Sequence, residues 1–142
     1  MKSNLLLVVV IIILVLVIVF AMSPRSYYSE VNDDPLLAKI HEDFKTLNPE
    51  YGIIPLRIGD SAYTQDKSVI TICKKHPKTG KIYEYCCYLY VALHELTHMV
   101  TESYGHDARF QRNFKIILQA AVDKGIYDPT CKIPPDYCGI DT

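Results

Sequence analysis

Apolar and polar positions divide the chain into two unlike parts. From Leu5 to Ala21 the run is unbroken Leu, Val, Ile, Phe and Ala, and Met22 extends it. An α-helix rises about 1.5 Å per residue, so this length suits the hydrocarbon core of a bilayer. The run predicts an N-terminal transmembrane helix over residues 1–22. A cleaved signal peptide is the competing reading, with Val19 and Ala21 suiting a small-residue cleavage site, but its apolar region is usually shorter. Ser23 to Asp34 is polar and reads as a stalk.

Beyond the stalk the pattern becomes that of a small folded domain over residues 35–142. Asp34-Pro35 supplies an N-cap followed by proline at the first helical position. Leu36, Leu37, Ile40, Phe44 and Leu47 then recur at helical spacing, which predicts an amphipathic helix over 35–47 that Asn48-Pro49 stops. Short β-rich runs follow. Ile53 to Ile58 is interrupted by Pro55, which suits an edge strand. Val69 to Cys73 is strongly strand-forming, His76 to Gly80 reads as a turn, and Lys81 to Tyr85 as the returning strand of a β-hairpin. A helix is expected from about Cys87 to Ser103, with Leu89, Leu93, Leu96 and Val100 as its core stripe and Gly105 marking its end. Asp107 caps a last helix over 108–124, with Phe110, Phe114, Ile117, Leu118 and Ala121 on one face. The fold class is thus α+β.

Composition narrows the field. The chain has 142 residues and a formal net charge of −1. It has no basic run or cluster, so no direct nucleic-acid binding is expected. The residues after the apolar run make one modest core, without room for a second domain. Lys2 and Arg25 flank the run. The positive-inside rule then favours a single-pass membrane protein with a cytosolic amino terminus. The lipid bilayer would be a partner through residues 5–22. The five cysteines contain no CxxC pair, so a cysteine-based structural zinc site is not expected. In an oxidising compartment Cys131 and Cys138 could close a short loop; in a reducing one all five would be small buried hydrophobes.

The chemistry is concentrated in residues 94–98, His-Glu-Leu-Thr-His. Histidines four apart on a helix stand one turn above each other on the same face, so His94 and His98 can grip one Zn2+ ion. Glu95 is offset around the helix. There it can act as general base on a zinc-activated water without ligating the metal. A catalytic zinc takes three protein ligands and keeps one position open. His106, just after the Gly105 turn, is the preferred third ligand. Glu102 is the rival, placed beyond the metal on the same helix. Asp107 could orient a ligand histidine, although helix capping already accounts for it. His41 and His76 read as surface residues.

The run Tyr90-Val-Ala-Leu-His-Glu-Leu-Thr-His98, followed by Gly105-His-Asp-Ala-Arg-Phe110, resembles the WLM and SprT-like zinc metalloproteases. Ile70 to Lys75 and Thr79 to Tyr83 are similar to the WLM forms found in large DNA viruses, and the likeness covers roughly Lys67 to Lys124. It implies a minimal zincin: a small sheet with a β-hairpin packed on the HExxH helix, flanked by helices. His94, His98 and His106 would be the metal ligands and Glu95 the catalytic residue. Metzincins fit poorly, because Thr101 stands where their motif requires glycine and the third histidine comes two residues late. The family's cellular members act on DNA–protein crosslinks. That role does not carry over to a chain with no basic patch and an apolar N-terminal segment. The expected function is a membrane-anchored zinc endopeptidase acting on a protein or peptide substrate, in a host or virion membrane. The alternative is a catalytically silent zincin scaffold serving as a structural virion protein.

Overall fold

The computed structural model describes residues 2–21, 34–135 and 137, with the side chains of the first helix described over 8–19. The chain divides into two compact units, Met1–Glu30 and Val31–Thr142.

The first unit holds helix α1 (Lys2–Ala21). Its described side chains, Val8 to Val19, are all apolar and largely exposed. A membrane-spanning helix was the expectation here. Among the described residues, however, no helix is long and apolar enough to cross a membrane. The expected transmembrane helix is therefore corrected: the described residues form a small α+β domain with a three-stranded sheet, preceded in the sequence by a helix. The expected stalk, apart from Asp34, lies outside the described residues.

The second unit opens with α2 (Pro35–Leu47). Asp34 Oδ1 accepts the Leu36 amide at 2.9 Å, and Lys74 Nζ sits 2.7 Å from Asp34 Oδ2. Leu37, Ile40 and Phe44 are buried on its inner face. Asn48 ends this helix and caps the 3-10 turn Pro49–Ile53 through Glu50 N at 3.0 Å. The sheet then forms from β1 (Leu56–Gly59), β2 (Tyr63–Gln65) and β3 (Val69–Cys73), in the order β1-β3-β2. β1 runs parallel to β3, with Leu56 opposite Ile70, and β2 runs antiparallel, with Tyr63 opposite Thr71. As its proline suggested, β1 is an edge strand.

The hairpin is not the one expected. It joins β2 to β3 through Asp66 and Lys67, both in the left-handed region at φ 47° and 51°, closed by Ser68 N donating to Gln65 O at 2.8 Å. With Gln65 opposite Val69, three residues make the connection, and its left-handed positions are normally filled by Asn or Gly. Lys81 to Tyr85 contributes only a Lys75–Ile82 bridge. Ile82 is exposed, so no buried face rewards a longer strand there, and Glu84 already begins the next helix.

Helix α3 (Tyr85–Val100) is buried along most of its length, with Leu89, Leu93 and Leu96 fully enclosed. Val100 is 40% exposed and drops out of the expected core stripe. The helix ends there rather than at Ser103, with Thr101 extended at ψ 131°. Helix α4 (Ala108–Asp123) packs on α3 through Phe110, Phe114, Ile117 and Ala121. The Cys131–Cys138 loop, one of the two readings left open for the cysteines, is also corrected. Cys131 pairs with Cys86 at the start of α3, and Cys138 lies outside the described residues. Closing a loop with a separation of 45 residues is worth about 4 kcal/mol in the chain-entropy account.

Candidate metal centre

The centre is built where α3, its C-terminal loop and the β2 edge meet. Helical spacing stacks His94 over His98, with ring centroids 5.1 Å apart. After α3 ends, Gly105 at φ +82° reverses the chain and brings His106 back over the helix. His106 Nε2 stands 2.9 Å from His94 Nε2 and 3.0 Å from His98 Nε2. Nitrogens held ~2.0–2.1 Å from a tetrahedral ion stand roughly 3.3 Å apart. The three rings therefore need to part by only a few tenths of an ångström to admit one. Among the described residues they form one of two groups that could hold a metal ion; the other is Cys86, Cys87 and Cys131. Glu102, the rival ligand, points elsewhere and pairs with Arg109 at 3.1 Å.

Phe110 floors the cluster. It is buried, and its ring lies 5.0 Å from that of His94, 4.3 Å from His98 and 4.8 Å from His106. Its position in the first turn of α4 is set by Asp107, whose Oδ1 accepts the Phe110 amide at 2.9 Å. Ser103 Oγ donates to the same oxygen at 3.1 Å, so Asp107 serves the cap and the loop. His41 is half-buried on α2. His76 Nδ1 accepts the Lys78 and Thr79 amides and stays away from the centre.

Burial sets the electrostatics. Desolvation, reinforced by the neighbouring rings, pushes His94 down to about 4. Desolvation also brings His98 down to about 4, aided by His106 and the Lys67 ammonium. Both imidazoles are thus neutral, with lone pairs available, at physiological pH. Glu95 is 4% exposed and pushed up to about 7 by desolvation, against the pull of Thr64. The Thr64 hydroxyl lies 2.8 Å from Glu95 Oε2 and 2.9 Å from the Glu95 carbonyl oxygen. Beside these groups is an open cavity of about 430 Å³, walled by the β2 residues on one side and by Tyr104 and Gly105 on the other.

Among the cavity residues that the sequence did not single out are Thr64, Lys67 and Tyr104. Lys67 Nζ donates to the Thr101 carbonyl and sits 4.9 Å from the Tyr104 ring centroid, tying the hairpin turn to the loop that carries His106. The positive φ of Asp66 and Lys67 at the edge of a cavity is the kind of backbone strain that concentrates at functional sites. The opposite face of the hairpin is pegged by Arg57, which reaches Thr71 Oγ1 at 2.9 Å and both Tyr63 Oη and Gln65 Oε1 at 2.8 Å.

No protein-family model and no solved structure matches the chain. Three similar proteins come from viruses. Uncharacterized protein 136R of Invertebrate iridescent virus 6 is 36% identical over 87 residues, 60% of this chain and 49% of that protein. Uncharacterized protein 042R of Invertebrate iridescent virus 3 is 29% identical over 109 residues, 77% of this chain and 67% of that protein. Uncharacterized protein R325 of Acanthamoeba polyphaga mimivirus is 31% identical over 83 residues, 56% and 42% of the two chains. The chain spans about half the length of the first of these.

Proposed function

We propose that this protein is a zinc-dependent endopeptidase. The observation that carries the reading is the meeting of His94, His98 and His106 nitrogens beside a buried carboxylate in an open cleft. Three imidazoles with an open side suit zinc and leave a position for substrate. A zinc ion held there supplies Lewis-acid polarisation and lowers the pKa of a water toward neutrality.

The remaining chemistry belongs to the protein. Glu95 takes the proton from the attacking water and delivers it to the departing amine. Its raised pKa suits it to both tasks near pH 7. Thr64 holds the carboxylate toward the cleft. Strand β2 is one of the two edges of the sheet and walls the cleft, so an extended peptide can pair with its backbone beside the three histidines. Support for a peptide rather than a small molecule comes from this edge and from the openness of the groove.

The test is metal content and hydrolysis measured together on the full chain. The expected result is about one zinc per chain and cleavage of an unfolded protein substrate. Chelator should abolish that cleavage. Glu95→Gln should abolish it with zinc retained. Stoichiometric zinc without cleavage of any unfolded substrate would leave the histidines a structural role and overturn the peptidase.

A further inference from the structure

A second group of ligating side chains lies away from the histidine cleft. Cys86 and Cys87 open helix α3, and Cys131 arrives from the C-terminal segment. Their sulfur atoms all lie within 4.8 Å of one another. Cys86 and Cys131 are joined as a disulfide, while Cys87 keeps its thiol and is buried. The Cys87 thiol donates to the Lys132 carbonyl, with Sγ 3.7 Å from the oxygen. All three cysteines line a cavity of about 590 Å³, shared with Lys81, Glu84 and Asp128. A disulfide needs two sulfurs, and this cluster supplies a third with open space beside it. No CxxC spacing announces the group, because it is assembled across the fold.

We propose that Cys86, Cys87 and Cys131 form a reduction-gated site for a thiophilic divalent cation such as zinc or cadmium. In the oxidised protein the Cys86–Cys131 disulfide staples the first turn of α3 to the C-terminal segment. A small dithiol opens it: its two S–H hydrogens end on Cys86 and Cys131, and it leaves as a cyclic disulfide. The three thiols then release three protons and form three metal–sulfur bonds. The cavity leaves room for a water as fourth ligand. Soft thiolates select such metals over magnesium or calcium. The metal replaces the disulfide as a staple at the same two points of the chain. Helix α3, which carries His94, Glu95 and His98, is thereby anchored in reducing and oxidising compartments alike. The proposal stands whether or not the histidines serve a peptidase.

Cadmium titration of the full chain tests it, read by the ultraviolet sulfur-to-cadmium charge-transfer band. The reduced protein is expected to develop the band and saturate it with about one cadmium at this site, whereas the oxidised protein shows none. Cys87→Ser should still form the Cys86–Cys131 disulfide, which reports correct folding, yet bind cadmium after reduction at least tenfold more weakly. His106→Ala should keep the band unchanged, which separates this site from the histidine centre. Absence of the band in the reduced protein, or an identical band and affinity in Cys87→Ser, overturns the proposal.

Discussion

The Thr64 hydroxyl stands 2.8 Å from Glu95 Oε2 and 2.9 Å from the Glu95 backbone carbonyl. One hydroxyl hydrogen serves two acceptors. When Glu95 is ionised the hydrogen belongs on the carboxylate. When Glu95 is protonated, the carboxyl can donate to Thr64 and free that hydrogen for the carbonyl. Strand β2 and helix α3 are thus coupled through the protonation state of the proposed base.

Thr64→Val removes the hydrogen bond and keeps the shape. Desolvation raises the Glu95 pKa, and Thr64 lowers it. Removing Thr64 should therefore move the pKa further up. The acid limb of the kcat/KM profile is expected to shift alkaline by about one unit, equivalent to ~1.4 kcal/mol of lost hydrogen bonding to a charged group. A profile superimposable on the wild type would deny Thr64 this role.

Metal-free stability should carry the opposing signs of the two kinds of buried group. Glu95 has a pKa raised from 4.5 to about 7. Its contribution is therefore full below 4.5 and lost as pH rises through 7. His94 and His98 have pKa values lowered from 6.5 to about 4, so theirs is present above 6.5 and lost as pH falls through 4. Glu95→Gln deletes only the first effect. In chelator at pH 8 it should be the more stable protein by on the order of 2–3 kcal/mol, with the gap closing toward pH 4.5. Thermal melts of the two proteins across this window check the sign.

The parts of this centre differed in how well the sequence announced them. His94 and His98 were legible because helical periodicity alone fixes their common face. Pro35–Leu47 was legible because Asp34, Pro35 and Asn48 mark both of its ends. The Asp66–Lys67 turn was not, since neither residue is the Asn or Gly that a left-handed turn ordinarily requires. Thr64 carried no local signal at all. Its importance comes from the register of β2 against β3 and the packing of the sheet on α3, which no short window contains. The Cys86–Cys131 pairing was hidden for the same reason, because it joins a helix start to a distant tail. Val100 failed as a core residue because the helix stops there, and the periodic pattern does not show where packing partners run out.

His106 and Glu102 were rivals for the third ligand position, and their geometry now separates them. His106 faces both other histidines, whereas Glu102 lies in an exposed pair with Arg109. His106→Ala is expected to weaken zinc binding by about 100-fold or more, at or beyond the loss typical of a residue that only supports a ligand. Glu102→Gln should leave the affinity within about twofold, as befits an exposed ion pair. Competition with a chromophoric chelator measures both. Comparable losses in the two variants would return Glu102 to the ligand set.

Phe110 links the stability of the domain to the shape of the centre. It is 1% exposed, contacts all three histidine rings, and stacks with Phe114 at 6.0 Å on the same helix. Phe110→Ala should cost about 3–5 kcal/mol of stability, the usual penalty for emptying a buried aromatic site. It should also release the three rings to separate rotamers, because no other described aromatic ring contacts all of them. The expected signature is a loss of zinc affinity that exceeds the loss in Phe114→Ala, even though both truncations empty the same α3–α4 interface. Phe110→Leu, which refills most of the volume without the flat surface, should recover stability more fully than affinity. Equal recovery of both would mean that Phe110 acts on the metal site only by keeping the domain folded.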